Sequence, residues 1–278
     1  MKDLTGADVL PAAGFHDVPM EKYQSWKAIN AGTLKWADKS MEHVKACLDG
    51  ELDRDPTAAL RFGRAIHAAL LEPSVFRSQF VVASSCNATL KSGARKGSRC
   101  GKVSKFRSPS TNQWFCGTHV DSGPTDCIEP DNFVSESDQE HIRAIRDKVM
   151  THNVVKLLRQ HGGFETSILW EYNGVPCKSR LDKFISGESM PLSIVDLKKV
   201  QLGGGDDESF SRSVSTYGYD IAAAYYCDAV EFVLGKKPAF IWVVIEDKPP
   251  YAVNVIQADR ETLNIGRYRY QSYFAELI

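Results

Sequence analysis

Three apolar stretches crowded into residues 165–200 constrain this 278-residue chain more than any other feature. Glu165 to Tyr172 and Val175 to Ile185 flank Asn173-Gly174, a pair that tolerates positive φ at both central positions of a two-residue turn, so the two predict a β-hairpin. Leu192 to Val200 follows after a reversal bracketed by Gly187 and Pro191. Around this group the pattern is helical. Ala31 to Leu48 predicts one helix. Asp55 to Leu71 predicts a second, buried one, with Leu60, Ala65, Ala68, Ala69 and Leu71 as its apolar side and Glu72-Pro73 as its stop. Ser137-Asp138-Gln139-Glu140 has the form of a capping box, and the apolar spacing after it predicts a helix from about Ser137 to Gln160, ended by Gly162-Gly163. Beyond Gly203-Gly204-Gly205, Tyr217 to Leu234 reads as a long helix. Phe240 to Glu246 and Tyr251 to Gln257 read as strands separated by Pro249-Pro250, and Arg260 to Glu276 as a terminal helix. This order predicts an α/β or α+β fold, a mixed central sheet flanked by helices.

Hydrophobic residues at 43% and charged residues at 25% are ordinary for a folded globular chain. No stretch approaches the roughly 20 apolar residues that span a bilayer. The start, MKDLTGADVL, lacks the basic-then-apolar layout of a secretion signal, so a cytoplasmic protein without a membrane partner is expected. Seven cysteines are an odd number, and three of them cluster with a histidine at metal-like spacing, which suits a reducing compartment better than a disulfide framework.

Within the third apolar stretch lies Asp196-Leu197-Lys198. Strand alternation puts Asp196 and Lys198 on one face, so a metal-binding carboxylate and a cation lie side by side where a phosphate can be held. Such a triplet also occurs as a plain solvated face. Asp182 precedes Asp196 by 14 residues, a spacing that fits adjacent antiparallel strands joined by a short loop. Cleavage of a phosphodiester with hard divalent ions needs oxygen ligands from at least two carboxylates and a cation near the attacking water, and these three residues supply them.

Taken with Phe62-Gly63-Arg64-Ala65-Ile66-His67, Val175-Pro176-Cys177-Lys178-Ser179-Arg180-Leu181-Asp182 and Tyr217-Gly218-Tyr219-Asp220, the triplet resembles the PD-(D/E)XK nucleases. The nearest likeness is the RecE-like branch (exonuclease VIII), related to the RecB nuclease domain and bacteriophage lambda exonuclease. The resemblance covers roughly residues 25–82 and 135–275. It implies a restriction-endonuclease-like fold and metal-dependent hydrolysis of DNA. One or two Mg²⁺ or Mn²⁺ ions would be held by Asp182, Asp196 and the Leu197 carbonyl, with Lys198 orienting the attacking water and His67 beside the metal site. Glu165 resembles another family acid, and Tyr226 the family tyrosine that contacts the bound strand. Alone, His67 also reads as a core histidine and Glu165 as a solvated strand end. One departure stands out: Ala222 occupies the position of the family glutamine, a gap that Asp220 or a water would fill. The implied activity is an exodeoxyribonuclease that digests linear double-stranded DNA from the 5′ end and leaves a 3′ single strand for an annealing or recombination protein, working as a ring-shaped homo-oligomer. A catalytically weakened DNA-binding protein and a repair endonuclease of the same fold are the alternatives.

Residues 84–130 lose apolar periodicity and read as an insertion, dividing the chain into a helical part at 1–83, the insertion, and a catalytic core at 131–278. Cys86, Cys100, Cys116 and His119 form a C-x13-C-x15-C-x2-H array that predicts a structural zinc ion, with unpaired thiols as the alternative and Cys127 as a stand-in for Cys86. An iron–sulfur cluster suits the mixed ligand set less well. With few apolar side chains beyond Val103, Phe106, Trp114 and Phe115, the segment needs metal binding to hold it together. Lys91, Arg95, Lys96, Arg99, Lys102, Lys105 and Arg107 give it a local charge of +7 with no acid between Cys86 and His119, on a chain of net charge −1. Such a patch predicts salt-dependent contacts with DNA phosphates, or else a merely solubilising loop.

Overall fold

A computed structural model describes residues 10–52, 57–130 and 132–277. In chain order its strands are β1 (Gly14–His16), β2 (Val81–Ala83), β3 (Phe106–Arg107), β4 (Trp114–Phe115), β5 (Phe133–Ser135), β6 (Phe164–Tyr172), β7 (Val175–Ile185), β8 (Ser193–Val200), β9 (Ala239–Glu246) and β10 (Val253–Gln257). The chain divides into two compact units, Met1–Asp55 with Val149–Ile278, and Pro56–Lys148.

The first unit is built on a six-stranded sheet of order β1-β6-β7-β8-β9-β10. Every neighbouring pair is antiparallel except β8 and β9, which run parallel. Parallel neighbours need a long connection, and the chain supplies one through the helices Asp207–Thr216 and Tyr219–Leu234. Asn173 and Gly174 take φ of 50° and 79°, and Tyr172 pairs with Val175, so the β6–β7 hairpin turns on two left-handed residues as its sequence requires. The sheet packs against the helix Tyr219–Leu234. Ile168, Trp170, Cys177, Leu181, Ile194, Phe240 and Trp242 share one core with Ile221, Ala223, Ala224, Tyr225 and Val230 of that helix, and with Tyr270 and Phe274 of the terminal helix Arg260–Leu277. Small residues let the two helices close together. A Cβ on Gly266 would come 2.0 Å from the carbonyl oxygen of Asp220. The expected mixed sheet flanked by helices is therefore present.

Several boundaries differ from expectation. The helix expected over Ala31 to Leu48 is three pieces: Ala31–Leu34, a 3₁₀ turn Lys35–Asp38, and Met41–Leu48. The helix expected from Ser137 to Gln160 is Glu136–Thr151 followed by the short Val155–Leu158. Its capping box begins two residues earlier than the sequence suggests. Asp138 N donates to Ser135 Oγ at 3.0 Å while Ser135 N donates to Asp138 Oδ2 at 3.3 Å. The helix expected from Tyr217 starts at Tyr219, after Gly218 at φ 60°, and Asp207–Thr216 and β1 were not anticipated.

In the second unit, Thr57 caps the helix Ala58–Leu71 by accepting from Leu60 N at 3.2 Å. Asp55, the expected start, lies outside the described residues. The chain leaves on β2 and returns on β5, which pair in parallel, so the basic insertion is a long excursion between neighbouring strands. Trp114 of the β3–β4 hairpin packs with Ala83 and Phe133 of that pair. Val103 stays exposed. No helix among the described residues is long and apolar enough to cross a membrane.

Candidate active site and metal centres

The β7–β8 ladder runs only from Ile185↔Ser193 to Lys183↔Val195. One residue further on, Asp182 faces Asp196, and instead of a main-chain bond the Asp182 Oδ2 accepts from Leu197 N at 2.7 Å. That carboxylate satisfies an amide whose burial without a partner would cost about 1–3 kcal/mol. On the other side, Glu165 falls between the pairs Phe164↔Lys183 and Thr166↔Leu181, which sets it opposite Asp182. A carboxylate oxygen of Glu165 and one of Asp182 lie within 4.8 Å of each other. Three acids thus stand at one level on adjacent strands.

Each acid has a distinct support. Glu165 holds φ at 47°, unusual for a side chain with a Cβ, and Arg180 Nε donates to its Oε2 at 2.9 Å. Arg180 Nη1 also donates to Ser167 Oγ at 2.8 Å and to the carbonyl of Val18 at 2.9 Å, so the guanidinium is fixed from three sides. Asp196 is buried, and its Oδ2 is ion-paired with the Lys198 ammonium. Alternation along β8 places both residues on one face, where they pair with Trp242 and Val244 of β9. Burial works against the Lys198 charge, but Asp196 and Asp182 outweigh it and raise the pKa, which keeps the ammonium protonated. Asp182 moves the other way in charge. Burial first, and the neighbouring Asp196 carboxylate second, push its pKa up to about 7.

Within the first unit the grouped donors are carboxylate oxygens, from three acids clustered beside one cation. Such a set suits a hard divalent ion and gives no soft ligand.

In the second unit a different donor set gathers. Cys86, Cys100 and Cys116 are buried, and their sulfurs lie with a ring nitrogen of His119 within 4.8 Å of one another. His119 Nδ1 is 3.4 Å from Cys116 Sγ and 3.7 Å from Cys86 Sγ. A tetrahedral ion with metal–sulfur bonds of about 2.3 Å and metal–nitrogen bonds of about 2.0 Å separates such atoms by roughly 3.5 Å, so a zinc ion fits. Burial raises the Cys86 thiol. For Cys116 burial is outweighed by the Thr118 amide and by hydrogen bonds from Cys86 and His119, and its pKa falls to about 7. The fourth ligand position is thus filled without Cys127, which stands outside the group.

The chain matches, over residues 31–278, the family model described as "PDDEXK-like domain of unknown function (DUF3799)". The chain belongs to this PDDEXK-like family. A solved structure titled "Putative exonuclease" from Eubacterium rectale is similar at 14% identity with a TM-score of 0.62, over 94% of this chain and 85% of that one, a likeness of fold. A second, SSO0001, overlaps at 14% identity with a TM-score of 0.27 over 50% of this chain and 58% of its own, and carries no argument. No curated protein matches.

The PDDEXK-like acids and lysine expected from sequence, Asp182, Asp196, Lys198 and Glu165, come together in the first unit. Tyr226 lies on the helix Tyr219–Leu234, half-buried. Burial raises its pKa, and Tyr23, Asp196, Asp182 and Glu165 add to the shift, so the phenol stands within electrostatic reach of the acids. Ala222 is buried one turn earlier on the helix. Asp220 does not take the place of the absent glutamine, because both its oxygens accept from Arg269 Nη1 at 2.9 Å. His67 is half-buried on the helix Ala58–Leu71 of the second unit. Of the basic insertion residues, Lys91, Arg95, Lys96, Arg99, Lys102 and Lys105 are exposed and Arg107 is half-buried. The Arg99 guanidinium donates to the carbonyls of Ser85 and Cys86, Arg95 donates to the Arg99 carbonyl, and Arg107 donates to Asn112 Oδ1. Sequence reasoning missed Arg180 as the partner of Glu165, although both lie in the hairpin and Arg180 shares its strand face with Asp182.

Proposed function

We propose that the chain is a metal-dependent DNA exonuclease of the RecE-like kind, hydrolysing linear double-stranded DNA from the 5′ end and leaving a 3′ single strand for an annealing or recombination protein. The observation that carries this reading is the convergence of Asp182, Asp196 and Glu165 beside a Lys198 kept cationic by the acids themselves. Asp182, Asp196 and the Leu197 carbonyl would hold Mg²⁺ or Mn²⁺, with Glu165 as a further acid. Such an ion acidifies water and neutralises charge on the phosphoryl group. The chain's own residues do the rest. Arg180 keeps Glu165 turned toward Asp182, and the Asp182–Leu197 bond fixes the acid against β8. Lys198, immobilised by Asp196, orients the attacking water and meets the charge that develops on the phosphoryl oxygens.

Zinc held by Cys86, Cys100, Cys116 and His119 gives the insertion its rigidity, and the exposed lysines around it grip duplex phosphates without reading sequence. The working form is a homo-oligomer that closes into a ring around DNA. Incubation of linear and closed-circular duplex DNA with Mg²⁺, and in parallel with EDTA, tests the reading. Loss of the linear form alone, abolished by EDTA, is the expected result. Nicking of circles would indicate a repair endonuclease of this fold. DNA retention without digestion would indicate a catalytically weakened binding protein, the outcome that Ala222 favours.

A further inference from the structure

The tetrapeptide Tyr217-Gly218-Tyr219-Asp220 supplies none of the three clustered acids, yet its geometry is heavily determined. At Gly218 a Cβ would come 3.3 Å from Lys35 Cγ and 3.4 Å from Lys35 Cδ, so the glycine leaves room for the stem of that lysine. Its φ of 60° suits glycine as well. Asp220, buried, is held by Arg269 Nη1, and Arg269 Nη2 reaches both oxygens of Asp38 at 2.9 Å. One guanidinium therefore ties the start of the helix Tyr219–Leu234 to the 3₁₀ turn Lys35–Asp38. The outcome is an aromatic ring serving two cations. Lys198 Nζ lies 5.0 Å and Lys35 Nζ 5.4 Å from the Tyr219 ring centroid.

The two cations are not equivalent. Lys198 has Asp196, whereas the Lys35 ammonium has neither an ion pair nor a hydrogen bond among the described residues. Half-buried and next to a like charge, it sits where a cation is costly without an anion. Burial, then Lys198, lower its pKa to about 8 against the opposing pull of Asp196 and Asp220. Both acids in electrostatic reach are already paired, Asp196 with Lys198 and Asp220 with Arg269, so an anionic ligand is the partner this position fits.

We propose that Lys35 and Tyr219 form a phosphate-binding post, Lys35 holding the phosphodiester next to the one that Lys198 serves. The proposal rests on the nuclease reading and adds a specific substrate contact to it. Binding of a fluorescent linear duplex in EDTA is measured across a salt series for the wild-type chain, Lys35→Gln and Lys35→Arg, with KM and kcat in Mg²⁺ taken alongside. Lys35→Gln should flatten the slope of log K against log salt by about 0.9, the share of one phosphate contact. It should also raise KM about tenfold with kcat within about twofold, the mark of a binding contact. Lys35→Arg should restore most of both, which a folding defect would not allow. An unchanged slope and KM in Lys35→Gln, with wild-type cleavage intact, overturns the post alone. Failure of the wild-type chain to cleave, while the slope still falls in Lys35→Gln, sinks the nuclease reading and leaves the post standing.

Discussion

Lys198 and Asp196 support each other, so removing either changes both chemistry and charge. Asp196→Asn and Lys198→Ala are each expected to lower the rate of DNA digestion by at least about 10²-fold, as losses of single electrostatic stabilisers do. Lys198→Ala also leaves a buried carboxylate without its cation, and should destabilise the fold by about 3 kcal/mol in urea denaturation. Asp182 carries a pH signature. Its folded pKa of about 7 lies above the unfolded value of about 3.9, so the metal-free folded chain binds more protons between them. That contribution to stability is full below the unfolded pKa and is lost as pH rises through about 7. Denaturation midpoints of metal-free protein should therefore fall between about pH 4 and about pH 7 in the wild type more than in Asp182→Asn, and equal slopes would contradict the assignment. At this scale the sequence was most legible where chemistry is local. Asp196 and Lys198 share a strand, and alternation alone puts them together. Lys35 was invisible, because its place beside Tyr219 comes from a tertiary tie through Arg269 that no spacing reveals.

The elements were legible in type and less so at their ends. Asn173-Gly174 announced the hairpin because its backbone demand is local. The β8–β9 parallel pairing was not readable, since it depends on a crossover containing a helix, Asp207–Thr216, whose serine-rich sequence offers only Phe210 and Val214 as apolar residues. Helix starts failed for a related reason. Ser135 and Ser137 both precede an acid three residues later, and only the fold decides which pair closes the box. Ser135→Ala should accordingly cost about 1 kcal/mol in chemical denaturation, while Ser137→Ala changes little. The crossing of the helices Tyr219–Leu234 and Arg260–Leu277 is tighter. With main chain only 2.0 Å from the would-be Cβ, Gly266→Ala must separate the helices, and a loss of about 3 kcal/mol is expected. Because Asp220 lies at that contact, the variant should also weaken DNA binding through the displaced tetrapeptide.

At the scale of the whole molecule, a chain of net charge −1 segregates its charge, as the proposed binding of a polyanion requires. The insertion concentrates lysines on a segment with few buried apolar residues, which the cysteine–histidine cluster holds together. Metal analysis of the purified protein should find one zinc per chain, and its removal by a chelator should expose the insertion to protease; a brown protein absorbing near 400 nm would overturn zinc in favour of an iron–sulfur cluster. The family match over residues 31–278 and the placement of Asp182, Asp196, Glu165 and Lys198 on neighbouring strands leave the central claim to one direct measurement. Linear duplex DNA is incubated with Mg²⁺ and either the wild-type chain or Asp196→Asn, both shown to be folded. The account predicts progressive digestion by the first and almost none by the second; equal digestion by both, or none by the wild type, would contradict it.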